Sequence, residues 1–129
     1  MTIRFPFPPT AHLRRGADFR RVYDRKCKAA DGVLLVFIDR SPQAETRIGL
    51  SVSRKHGNAV VRNRLKRLLR EAFRLSSERL PAGLDLVAIP LAKDRASLPA
   101  YIESLTRLCR KLLRRLEAAE APPAEGAPS

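Results

Sequence analysis

Acids, histidines, thiols and aromatics are all scarce in this chain, and each shortage removes a class of function. Thirteen Asp and Glu face 26 Lys and Arg over 129 residues. The acids are scattered, so no carboxylate cluster invites a catalytic metal. His12 and His56 are the only histidines. Both stand beside turns or chain ends, and no Ser-His-Asp or Cys-His set for nucleophilic catalysis is suggested. Cys27 and Cys109 lie far apart without metal-ligand spacing. Each is expected as a buried free thiol, in a reducing, cytoplasmic chain. No apolar run approaches the roughly 20 residues of a membrane span, and the N-terminus lacks the apolar centre of a secretory signal. Trp is absent and aromatics make up 5%, yet hydrophobic residues reach 44%, enough to bury one domain's core.

What the chain has instead is positive charge, and that charge is placed on folded structure. The net charge is +13, and the only charged residues after Leu116 are Glu117, Glu120 and Glu125, so the body is more basic than the whole. Such a body attracts phosphate polymers. Arg outnumbers Lys 20 to 6, and the guanidinium fork suits bidentate phosphate contacts and stacking on bases. From Arg54 to Arg74 there are eight Lys or Arg and one acid, Glu71. Within that run Val61, Leu65, Leu68, Leu69 and Ala72 recur at helical spacing, which predicts an amphipathic helix over 59–75 with Asn58 as its cap. Arg62, Lys66, Arg70 and Arg74 form an i,i+4 ladder along one margin, with Asn63 and Arg67 on the outer face and Arg64 on the opposite flank. Charged helix faces are common, but they usually mix signs, because like charges at i,i+4 repel by a few tenths of a kcal/mol each. A face of one sign points to an anionic partner. Arg54 and Lys55 precede the helix with the flexible Gly57, next to start-of-helix amides that favour phosphate.

The remaining elements follow from periodicity and turn chemistry. Residues 1–12, with Pro6, Pro8 and Pro9, read as an extended arm. A helix is expected over 14–25, with Phe19, Val22 and Tyr23 on one side. Asp31-Gly32 is expected as the two-residue turn of a hairpin between strands 26–30 and 33–38, the second apolar on both faces and therefore covered on both. A strand follows over 47–53, then the basic helix, a strand over 84–89 ended by Pro90, and a long helix capped by Ser97. From 117 to 129 the Ala-, Pro- and Glu-rich composition predicts a disordered tail. The order is helix, three strands, helix, strand, helix: an α+β domain over 13–116, its helices packed on a mixed sheet of about four strands. Phe19 and Tyr23, spaced i,i+4 beside Arg20, Arg21 and Arg25, suit either core packing or a stacking platform for single-stranded bases. Phe37 is a core strand residue on its face value.

The segment Lys55-x-Gly57-Asn58-Ala59-Val60-x-Arg62-Asn63-Arg64-x-Lys66-Arg67-x-x-Arg70, with Arg47-Ile-Gly-Leu-Ser-Val upstream, strongly resembles the signature of the bacterial ribonuclease P protein subunit family. The resemblance covers about residues 13–115. It implies the α+β order above with a left-handed β-α-β crossover, against the usual right-handed rule. It further implies a basic partner of a catalytic RNA that removes the 5′ leader of precursor tRNA. The chemistry would lie in the RNA and its magnesium, with no catalytic residue, no bound metal and no cofactor on the protein, which alone would be inactive. One protein per RNA, monomeric when free, is expected. Carried over position by position, Lys55, Arg62, Asn63, Arg64, Lys66, Arg67 and Arg70 would face the RNA subunit, with Arg54 added as the neighbouring cation of the same turn, while Phe19, Tyr23 and Phe37 would line a cleft for the leader. His56 stands where the family is often aliphatic and is assigned no role. Two other classes compete: a basic ribosomal or other structural RNA-binding protein, which gives no reason for the aromatic pair, and a stand-alone nuclease, for which no acid or histidine cluster is visible.

Overall fold

Three helices and four strands make up the fold, in a computed structural model that describes residues 12, 13 and 15–121. In chain order they are α1 (Gly16–Arg25), β1 (Cys27–Ala30), β2 (Leu34–Arg40), β3 (Arg47–Leu50), α2 (Ala59–Ser76), β4 (Leu84–Pro90) and α3 (Leu98–Glu120). The sheet order is β1-β2-β4-β3. The first three pair antiparallel, whereas β3 runs parallel to β4, with α2 as the crossover between them. The last strand made therefore sits inside the sheet. His12 bridges Ile48, and the Leu13 amide donates to the Ile48 carbonyl at 2.9 Å, so this short segment covers the outer edge of β3.

The period-2 geometry of β2 and β4 divides the core in two. Leu34, Val36, Ile38, Leu84, Leu86 and Ala88 point to the face covered by α2 and α3, and all are sealed from solvent. They meet Leu65, Leu69, Ala72 and Phe73 of α2 and Tyr101, Leu105, Leu108, Leu112 and Leu116 of α3. Among the described residues, the opposite face receives only α1 and the segment before it, through a small cluster of Leu13, Val22 and Val87. Phe37 and Ile89 on that face, with Leu35 beside them in the strand, stay half-buried. The expectation that β2 would be closed on both sides thus holds on one: a ten-residue helix is too short to cover what the paired 18- and 23-residue helices cover opposite.

Local chemistry sets the element ends. Lys26 adopts a left-handed conformation after α1 and its amide donates to the Tyr23 carbonyl, closing the helix. Asn58 caps α2 by accepting from the Val61 amide at 3.0 Å, and Ser97 caps α3 by accepting from Ala100 at 3.2 Å. Three boundaries differ from the sequence expectation. The hairpin turn falls at Gly32-Val33, not Asp31-Gly32. Asp31 stays opposite Leu34, and its carboxylate accepts from the Val33 and Leu34 amides at 3.0 and 3.1 Å, the local bonding that suits Asp to turns. The third strand leaves the ladder after Leu50, because residues 54–56 wind into a 3₁₀ turn that aims the chain into α2. Finally α3 continues through Glu117–Glu120, where a tail was expected. Leu116 is still buried there, Ala118 and Ala119 favour helix, and Arg40 donates a fork to the Glu120 carboxylate at 2.8–3.1 Å. The arm at 1–11 and the tail at 122–129 lie outside the described residues. No helix among the described residues is long and apolar enough to cross a membrane.

Candidate nucleic-acid interface

The two groups of residues singled out from the sequence lie on opposite faces of the sheet. On α2, Leu65, Leu69, Ala72 and Phe73 are consumed by the core, which fixes the helix rotationally and leaves its cations outside. Asn63, Arg64, Arg67 and Arg70 are exposed, and Arg62 and Lys66 are half-buried at the margin. None of the five cations among them has an acidic partner among the described residues. Arg74, by contrast, donates to Glu71 at 2.5 and 2.9 Å, so the one acid of the helix is spent at its far end. The buried Nε of Arg62 also has no hydrogen-bond partner.

Arg54 and Lys55 project from the exposed 3₁₀ turn ahead of α2. His56, the third residue of that turn, is buried and both of its ring nitrogens are engaged. Nδ1 accepts from the Ser53 amide at 2.9 Å, which makes Nε2 the protonated nitrogen that donates to the Pro90 carbonyl at 2.9 Å. The imidazole thereby ties the cationic turn to the end of β4, where an aliphatic side chain could only fill space. Gly57 follows with φ +134°, and a β-carbon there would stand 2.9 Å from Val61, so the backbone enters α2 along a path that glycine alone takes without strain.

The aromatic trio converges on the other face. Tyr23 packs edge-on against Phe37, with ring centroids 4.9 Å apart and planes at 88°, and Phe19 lies 6.4 Å from Tyr23. All three rings are half-buried, and the Lys28 ammonium sits 5.6 Å from the centre of the Phe37 ring. Phe19 rests directly on Gly49 of β3: a β-carbon at 49 would come within 2.6 Å of its ring. All three rings pack against the small cluster of Leu13, Val22 and Val87, the core-packing role posed from the sequence, without being sealed from solvent.

The position of α1, and so of these rings, is set by ions that sequence reasoning missed. Asp85, fully buried in β4, accepts from Arg47 Nε at 2.8 Å and Nη2 at 2.6 Å, and from Arg21 of α1. Arg21 also donates to Asp39 at 2.9 Å and to the Arg40 carbonyl at 3.0 Å. The hydrogen bonds it donates to Asp85, offset in part by burial and reinforced by the Asp85 charge, lift the Arg47 guanidinium above its ordinary value. One signal was available in the sequence: an acid inside an otherwise apolar strand has to be paired.

Chemically the site offers binding surface. Among the described residues, no group of three or more His, Cys, Asp or Glu is placed to hold a metal ion. Cys109 is buried on α3, and burial pushes its thiol up to about 12, which leaves it a poor nucleophile.

Relatives converge on one family. The Ribonuclease P family profile matches residues 7–117. The chain is 38% identical over 101 residues to a ribonuclease P protein component of Alkaliphilus metalliredigens, covering 78% of this chain and 91% of that one. It is 45% identical over 101 residues to that of Brevibacillus brevis, covering 77% and 80%. Among solved structures it is similar to the RNase P proteins of Staphylococcus aureus (TM-score 0.68, 30% identity, 78% of this chain and 94% of that one) and of Thermotoga maritima (0.67, 30%, 75% and 96%). With the basic helix, the order of elements and these relatives in agreement, the chain belongs to the ribonuclease P protein family.

Proposed function

We propose that this protein serves ribonuclease P as a two-sided adaptor, with α2 and its lead-in turn on the catalytic RNA and the α1 cleft on the 5′ leader of precursor tRNA. The carrying observation is the outer surface of α2, where five cations without acidic partners among the described residues stand on a helix whose inner side is locked in the core. Phosphates there would replace the missing counter-charges, and Arg54, Lys55, Arg62, Asn63, Arg64, Lys66, Arg67 and Arg70 are the residues assigned to the RNA subunit. Phe19, Tyr23 and Phe37 offer ring faces on which unpaired bases stack without regard to sequence.

Hydrolysis of the phosphodiester requires an activated water or a positioned base. We assign that chemistry to the RNA and its magnesium. The protein would screen the repulsion between two polyanions and hold the leader, as one protein per RNA, acting in the cytoplasm. A single set of assays tests this: cleavage of precursor tRNA by the protein alone, by its cognate RNA alone and by both, at low and high magnesium. Activity of the RNA at high magnesium, its rescue by protein at low magnesium and silence of the protein alone are expected. Correct cleavage by RNA-free protein would overturn the division of labour.

A further inference from the structure

The helical layer carries a second basic surface that the family motif does not reach. Its outer side has two adjoining grooves that meet at Leu98, the first residue of α3. One, of about 750 Å³, is lined from α2 by Asn63, Arg67, Leu68, Arg70 and the paired Glu71 and Arg74. The other, of about 660 Å³, runs along α3 between Arg79, Ile102, Thr106, Arg110 and Arg114. Arg107 and Glu103 also line it, but they are bound to each other at 2.8 Å, and Arg107 donates to Asp31 as well. Arg79, Arg110 and Arg114 have no acidic partner among the described residues, and all three are exposed. Arg110 and Arg114 are i,i+4 neighbours of like charge, an arrangement that costs helix stability unless an anion relieves it.

We propose that this α3 groove is a second RNA-binding site, which takes the sugar-phosphate backbone of a further segment of the same RNA that meets α2. Three features select that ligand. The groove continues the α2 surface across the shared Leu98 wall, so one folded RNA can follow both. Its free cations are all arginine, whose planar fork pairs with phosphate oxygens from two sides. Its floor of Leu98 and Ile102 is apolar and half-buried, suited to the face of a ribose or an unstacked base. From Leu98 to Arg114 the helix extends about 24 Å, room for several phosphates. A second copy of this chain is disfavoured, because it would bring two surfaces of one sign together.

The proposal rests on α2 binding RNA, and the test separates the two. Full-length wild type, an Arg79→Ala/Arg110→Ala/Arg114→Ala variant and an Arg62→Ala/Arg64→Ala/Lys66→Ala variant would be titrated against transcribed ribonuclease P RNA across a salt series, with hydroxyl-radical footprints of each complex. Arg107 is left intact because it holds Asp31. Circular dichroism and melting would verify that both variants keep the fold, which exposed Arg→Ala changes on helices favour; charge-neutral Arg→Gln at the same three α3 positions provides a second version. The expected result is weaker binding by the α3 variant, a salt slope flatter by about 2–3 at roughly 0.7–0.9 per phosphate lost, and loss of a protected RNA segment distinct from the one lost with the α2 variant. A wild-type slope and footprint for the α3 variant, with loss confined to the α2 variant, would overturn the second site and leave the first standing. Wild-type behaviour of both would overturn the two together. Weakening with an unchanged footprint would also sink the proposal, since the arginines would then be acting through net charge.

Discussion

The two faces of the sheet are held by different physics. Twenty buried side chains join α2 and α3 to one face, all apolar apart from the Tyr101 hydroxyl and a thiol. Among the described residues the other face has three, Leu13, Val22 and Val87, and it relies on Asp85 between Arg21 and Arg47 to seat α1. Apolar burial is roughly proportional to area and does not depend on direction, so the first face gains stability but offers nothing at its inner surface. A charge clamp is directional. It fixes one helix over a strand while the rings beside it stay half open. The contrast separates where the molecule stores stability from where its rings stay half-buried.

The comparison predicts its own failure points. Leu105→Ala, at the centre of the closed face, should destabilise by about 3 kcal/mol or more, within the 2–5 usual for such truncations, read as a lower urea midpoint at unchanged slope. Asp85→Ala should cost nearly as much, about 3 kcal/mol, because two guanidiniums lose a fully buried counter-ion. It should also loosen α1 selectively, giving faster amide exchange there than in α3. Equal loosening of both helices would show that the clamp is part of one common core. Tyr23→Ala should weaken precursor tRNA binding relative to mature tRNA by about 1–3 kcal/mol per lost stack, with assembly on the RNA subunit barely changed. If melting falls and that discrimination stays, the ring only packs. His56→Leu should keep the fold at a cost of about 1 kcal/mol for its hydrogen bonds. RNA affinity should drop more than this cost accounts for, because the Arg54-Lys55 turn comes loose from Pro90. His56→Gln should restore part of that affinity.

The smallest effect is one of pH. Burial pushes the Asp31 carboxyl up, but hydrogen bonds from Ser104, the Leu34 and Val33 amides and Arg107 outweigh it and hold the group below the usual carboxylate value. Its contribution is therefore present above the unfolded value, near 3.9, and lost as the pH falls through the lower folded one. Asp31→Asn should remove that acid-side slope from the stability profile while leaving α2 binding intact at neutral pH.

Helices, strand order along the chain and the basic face were legible in the sequence because each is encoded locally. The stripe Leu65, Leu69, Ala72 fixes which side of α2 is buried, and whatever lies opposite must face out. Asn58 and Ser97 announced their helices by side-chain chemistry alone. The pairing of Asp85 with Arg21 was not legible, since nothing local links positions 64 residues apart. The role of His56 was hidden for the same reason: its acceptor is a backbone carbonyl 34 residues away, and backbone carbonyls leave no trace in composition. Phe19 on Gly49 shows an intermediate case. The glycine was visible within the motif, but what crowds it emerges only when α1 folds over β3.

The interior position of β4 has a consequence for how the protein is born. On a growing chain β2 and β3 have no common partner until residues 84–90 appear, since neither pairs with the other. Long-range strand pairing of this kind slows folding, because loop closure precedes the contacts that reward it. Helix α2 ends at Ser76, ahead of that strand, yet the turn that aims its first cations is tied to Pro90, the last residue of the late strand. The nascent chain thus exposes a basic helix in sequence before it presents an oriented one in space. The turn ahead of α2 reaches its final orientation only with the completion of the sheet, after Pro90 has been made.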